Sequence, residues 1–295
     1  MPTKRQIVLC ADGTCDIGPE LTKQYDVKMY NFHIQLGEET FIDKLEISPE
    51  QMYAAWREKG LLPKTAAITP DDYINFFEPF IKDGCDIVHI NLGSGISSAH
   101  QNCILAASEL EEKYPDGGRI YPVDSCNLSA GSGVLVCKAG DMIKEGKLSA
   151  EEIAKTVNEL KQKVSCNFIL DTLEFMAAGG RCSNFAAFGA TMLKLKPCIQ
   201  VKIEEHGSLK PTKKYRGTME RVLAEYVKDQ LAGRDDLDLE KIFITHSGSP
   251  ESDFALVKEE IKKYADFKNT YITQASGTIS AHCGPRTLGI LFMTK

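Results

Sequence analysis

The chain has 295 residues, 43% of them apolar, and a formal net charge of −6, so composition lends no global electrostatic support to a nucleic-acid partner. Its length suits two ordinary domains and a core large enough to spare apolar volume for a ligand. No apolar run approaches the length that spans a bilayer, and the start, Met1-Pro2-Thr3-Lys4-Arg5, lacks the long apolar stretch of a signal peptide, which points to a cytoplasmic protein without stable membrane insertion.

In chain order, Ile7–Cys10 opens as a short apolar strand. The tetrapeptide Ser48-Pro49-Glu50-Gln51 then combines a hydroxyl cap, a proline at the first helical position and a glutamine at the third, and predicts a helix that stops at Gly60. Thr69-Pro70-Asp71-Asp72 opens a second helix, closed by Gly84. Strands follow at Asp86–Leu92 and Arg119–Val123, and Ser149-Ala150-Glu151-Glu152 caps a helix to about Lys163. Strand, helix, strand in this order predicts an α/β fold with a parallel sheet flanked by helices. Beyond about residue 165 the pattern changes. Asp171-Thr172-Leu173-Glu174 reads as a capping box for a short helix ending at Gly179-Gly180. Strands are predicted at Pro197–Ile203, Lys241–Thr245, Thr270–Gln274 and Leu288–Met293, with helices near Thr218–Leu231 and Pro250–Tyr264. The densest basic group, Lys210, Lys213, Lys214 and Arg216, reads as a solvated loop. A second α/β domain over 166–295 is therefore expected after a first over 1–165.

Polar chemistry gathers where the early strands end, the position at which open α/β sheets bind ligands. Asp12-Gly13-Thr14, Gly93-Ser94-Gly95-Ile96-Ser97-Ser98 and Asp124-Ser125 are loops of glycine and hydroxyl residues, and Lys64–Thr69 is a fourth polar loop entering a helix. Ser97 and Thr69 also suit the capping of their own helices. Complete catalytic signatures are missing. An aspartyl phosphatase would need its nucleophile two residues before Asp12, where Cys10 stands. There is no G-x-S-x-G elbow, phosphate loop or dinucleotide fingerprint. The ten cysteines are scattered without any C-x-x-C, so neither a zinc site nor a redox motif is indicated, and they read as small core residues of a reducing compartment. No metal or cofactor is expected.

Taken in order, these motifs resemble the DegV family of bacterial fatty-acid-binding proteins from Val8 to about Phe292. Asp12-Gly13-Thr14-Cys15-Asp16-Ile17 resembles its opening D-S-T-x-D-L, and Lys64-Thr65-Ala66-Ala67-Ile68-Thr69-Pro70 its K-T-S-Q-P-S stretch. The segment from Gly93 to Gln101 is similar to S-S-G-L-S-G-T-Y-Q, and Val123-Asp124-Ser125 with Gly131-Ser132-Gly133 to V-I-D-S…S-x-G-x-G. Most specific is Leu170-Asp171-Thr172-Leu173-Glu174-Phe175 through Gly179-Gly180-Arg181-Cys182-Ser183, matching L-D-T-L-E-Y…G-G-R-I-S. Leu195-Lys196-Pro197 and His282-Cys283-Gly284-Pro285 complete the series.

The resemblance implies a protein that performs no chemistry alone. A long-chain fatty acid would lie in an apolar tunnel between the domains, its carboxylate meeting Thr65, Ser97 and His282. Asp12, Thr14, Ser94, Ser98, Ser125 and Gly284 would belong to the supporting loops. Arg181 would orient the carboxylate or face a separate fatty acid kinase, which makes the acyl phosphate for phospholipid synthesis. Phe76, Phe77, Phe80, Phe168, Phe175, Met176, Phe185, Phe188, Met192 and Leu193 are candidate tunnel or core residues. Ala66 and Ala67 stand where the family has serine and glutamine, so this chain offers the head group fewer polar partners. Two other readings compete: an acyl-ester hydrolase or transferase using Ser97 with His282, and a sensor of a non-lipid small molecule.

Overall fold

The computed structural model describes residues 5–182 and 195–295, and three sheets organise them. The first half contributes β1 (Ile7–Asp12), α1 (Gly18–Gln24) and β2 (Lys28–Tyr30). A meander follows, β3 (His33–Leu36) and β4 (Glu39–Ile42), then α2 (Pro49–Lys59) and β5 (Lys64–Ala66). Next come α3 (Pro70–Lys82), β6 (Asp86–Asn91), α4 (Ala99–Lys113), β7 (Ile120–Asp124), α5 (Ala130–Glu145) and α6 (Ala150–Leu160). Strands β2-β1-β6-β7 form an all-parallel sheet, and β4-β3-β5 form a small antiparallel sheet beside it. The parallel sheet and its helices match the sequence expectation, and the three capping boxes explain why. Ser48, Thr69 and Ser149 each accept from the backbone N–H three residues on, while Gln51, Asp72 and Glu152 reach back to the cap residue's own N–H. At the other end of α2, Gly60 takes the left-handed conformation (φ 68°) that stops a helix.

The second half begins with β8 (Val164–Ile169) and α7 (Glu174–Gly179). It continues through β9 (Leu195–Lys202), β10 (Ser208–Arg216), α8 (Met219–Leu231), β11 (Leu237–Ser247), α9 (Glu251–Lys262), β12 (Asn269–Gln274), α10 (Gly277–Cys283) and β13 (Thr287–Thr294). These strands build one mixed sheet in the order β10-β9-β8-β13-β11-β12, antiparallel except for β11 with β12. Alternation along β11 shows how both faces are covered. Ile242 and Ile244 join the α8 and α9 core, while Phe243 joins the core shared with the first half. That shared core makes the two halves one continuous packing unit around the cavity described below.

Two local expectations are corrected. The basic segment at 210–216 is not a loop but β10, an edge strand with a bulge between Pro211 and Lys214. Lys213, Lys214 and Arg216 stay exposed, and Lys213 pairs with Glu225 and Asp229 of α8. The Asp171 capping box does not form either. Asp171 is held by Lys196, and α7 starts at Glu174 without a side-chain cap.

Candidate functional site

A cavity of about 280 Å³ opens where the first sheet's loops meet α10, with apolar walls from Phe32, Leu92, Ile96, Leu128, Leu209 and Ile279. Ala66, Ala67 and Cys283 also line it, as do the polar groups Thr65, Ser97, Ser98, Arg181, Thr278 and His282. Among the described residues no carboxylate lines the cavity. A smaller chamber of about 20 Å³ lies further in, shares Leu128, Ile279 and Cys283 with the main cavity, and ends against Phe168 and Leu291.

Thr65 comes from the last turn-ward strand of the small sheet, where β5 pairs with β3 (Ile34 opposite Thr65). His282 comes from the far end of the chain on α10. The fold brings Thr65 Oγ1 to 2.8 Å from His282 Nε2 across 217 residues of sequence. Among the described residues the buried His282 Nδ1 has no partner, and a Cβ on Gly179 would stand 2.2 Å from it. Burying a bare N–H is costlier than burying a bare lone pair, so we assign the ring proton to Nε2. It then donates to Thr65 Oγ1, whose own proton is left to point at a ligand. Burial, with repulsion from Arg181, lowers the His282 pKa to about 4, so the ring is neutral at physiological pH.

Ser97 precedes α4. Its Oγ accepts from Ala99 N at 3.2 Å, a local turn, and its hydroxyl proton remains available to the cavity. Arg181 lines the mouth and donates from Nη1 to the Gly179 carbonyl at 2.8 Å. Two hydroxyl donors, a guanidinium and no lining carboxylate make the polar end complementary to an anion, while the walls suit an apolar tail. Nucleophilic chemistry finds little support. Among the described residues no hydrogen bond joins Ser97 to His282, and burial pushes the Cys283 thiol up to about 12.

Of the predicted supporting residues Ser98 lines the cavity, and the others are not among its lining residues. Asp12, buried, accepts from Leu92 N (2.7 Å), Tyr73 Oη (2.6 Å) and His89 Nε2 (2.9 Å), and so anchors the loop leading to Ser97. Thr14 Oγ1 is buried without a partner, Ser125 bonds Ser132 and Asn127, and Gly284 ends α10 with φ 78°. Ser94 donates through both N and Oγ to Asp124. Burial opposes ionisation of Asp124, but bonds from Ser94 and Cys126 outweigh it and hold the carboxyl below its usual range. Asp124, Cys126 and His206 offer ligand atoms within 4.8 Å of one another, yet Asp124 is already served by three donors and burial pushes the Cys126 thiol up to about 11. We read the trio as an anchor for the β9–β10 turn.

The tunnel expectation is corrected in part. Phe77 is buried against Tyr73 and His89, and Phe76 and Phe80 pack beside it, in the core under α3; Phe175 packs on Tyr53 and Trp56. None of them, nor Met176, is among the residues lining these two chambers, whereas Phe168 lines the inner one. Phe185, Phe188, Met192 and Leu193 lie outside the described residues. Sequence reasoning missed Ile279 and Cys283 as walls. Ile279 stands three residues before His282 and four before Cys283 on one short helix, and that spacing was the available signal.

Comparison with known proteins bears on the family and the fold. A DegV domain-containing protein of Clostridium perfringens is 29% identical over 293 residues, covering 98% of each chain. Among solved structures, a Thermus thermophilus DegV family protein described by its fatty acid binding superposes with a TM-score of 0.85 at 25% identity, covering 98% of this chain and all (100%) of that one. Bacillus subtilis DegV, described as a fatty acid binding protein, gives 0.79 at 25% identity over 99% and 100% of the two chains. The DegV family model, whose description is an uncharacterised protein family, matches residues 6–295, and over that span this chain belongs to the DegV family.

Proposed function

We propose that this protein binds one long-chain fatty acid, with the carboxylate at Thr65, Ser97 and His282 and the alkyl chain along the walls formed by Leu128, Ile279 and Leu209. It acts in the cytoplasm as a binding subunit, presenting the carboxylate to a separate kinase that forms the acyl phosphate used in phospholipid synthesis. On this reading residues 1–165 carry the carboxylate loops and 166–295 cover the chain. The observation that carries it is the Thr65–His282 pair, a neutral donor relay at the polar end of an otherwise apolar cavity. Neutral donors hold a buried carboxylate without burying a counter-charge beside the tail. About 0.8 kcal/mol per buried CH₂ then makes the tail the main source of affinity. The fatty acid binding described for the Thermus and Bacillus relatives supports the same ligand class. The test is to measure palmitate and oleate affinity for wild type and for Thr65→Ala with Ser97→Ala. Weaker binding by a folded double variant supports the assignment, and unchanged affinity refutes it.

A further inference from the structure

A second cleft, of about 630 Å³, lies at the opposite end of α10 from His282, and two buried aspartates border it. Both are occupied with the helix. Asp16 Oδ1 accepts from Ser276 N at 2.9 Å and pairs with Lys44 at 3.2 Å, while Oδ2 accepts from Ser129 Oγ. Asp43 Oδ1 accepts from Gly277 N at 2.8 Å, and Oδ2 accepts from Thr278 N at 2.7 Å and Thr278 Oγ1 at 2.6 Å. The fourth early donor, Ile279 N, goes to Ser276 Oγ. Every orphan N–H of this helix start is therefore served. With 7 residues, α10 is too short to hold itself and takes its position from these partners.

Asp43 differs from Asp16 in where it comes from. It follows β4 directly, its own N–H donating to the Phe32 carbonyl at 2.9 Å, in the same small sheet whose β5 carries Thr65. Across β3, His33 faces both Ile42, the residue before Asp43, and Ala66, the residue after Thr65. One rigid three-stranded unit thus holds the helix at its start and meets His282 about 7.5 Å further along the axis. Gly277 permits the approach: a Cβ there would stand 2.7 Å from Asp43 Oδ1 and 2.7 Å from Ile34 Cδ1. By taking the Thr278 hydroxyl, Asp43 also turns that wall residue's polar group away from the tail.

We propose that Asp43 is a positioning residue for ligand binding: it clamps α10 to the small sheet and so sets the Thr65–His282 contact. This rests on the carboxylate reading of that pair. The test is a double-mutant cycle on palmitate affinity with Asp43→Asn and Thr65→Ala, each also followed by the His282 ring NMR signals. Asp43→Asn should weaken binding about ten- to hundredfold, the worth of a lost charge-assisted bond, and shift the His282 signals. Because it acts through Thr65, the double variant should bind within about twofold of Thr65→Ala alone. Gly277→Ala attacks the same contact from the other side and serves if Asp43→Asn does not fold; it should show the same non-additivity with Thr65→Ala. If Thr65→Ala alone leaves affinity unchanged, the carboxylate reading and this inference both fail. If Thr65→Ala weakens binding while Asp43→Asn is neutral, or the two effects add in full, the carboxylate reading stands and the role of Asp43 is overturned.

Discussion

His282 is buried, neutral and tied to Thr65, and each property makes a measurable demand. Because burial holds its pKa near 4, the unfolded chain takes up a proton at the ordinary 6.5 before the folded chain does. Its contribution to stability is thus complete above about pH 6.5 and is lost as pH falls from there toward 4, by up to about 3 kcal/mol. His100 and His246 lean the same way and Asp16 the other, so the quantity to measure is the difference between wild type and His282→Gln in urea unfolding across that range. The variant should lose slope; an unchanged slope would mean that the ring is not held neutral. At Arg181 the bond to the Gly179 carbonyl leaves further guanidinium donors at the cavity mouth. Arg181→Ala should keep its fatty acid but be phosphorylated much more slowly by a cognate kinase with ATP. Lipid lost together with fold would make Arg181 structural, and a wild-type rate would make it a bystander.

Elements differ in how far the sequence alone discloses them. The starts of α2, α3 and α6 were legible because a capping box is local, its donors and acceptors lying within four residues. By contrast β10 was not, since its proline, lysines and bulge look like a loop until β9 supplies the ladder. The meeting of α10 with β5 has no local signature at all; family resemblance alone put Thr65 beside His282, and nothing in the sequence pointed to Asp43. Between α7 and α10 the glycine pair divides its labour. Gly179 makes room for the His282 ring, whereas Gly180 only turns the chain at φ 64°. Gly179→Ala should therefore displace the ring and weaken palmitate binding, while Gly180→Ala should cost about 1 kcal/mol of stability and leave affinity intact. Equal effects on affinity, read by titration beside urea unfolding, would contradict this division.

For the whole molecule, the proposed ligand would occupy the cavity between the first sheet's loops and α10, so occupancy and stability should be linked. A ligand bound by the native state alone stabilises it by about 2.7 kcal/mol at a hundredfold excess over Kd, and added palmitate should raise the melting temperature accordingly. Chelation should leave that shift unchanged; a shift lost on chelation and restored by one divalent ion would contradict a ligand held by protein side chains without a metal. The most direct test of the central claim is to denature protein purified from bacteria and weigh the small molecules released. A long-chain fatty acid should emerge at one per chain. An extract without lipid, from protein whose melting temperature does not respond to added fatty acid, would contradict it.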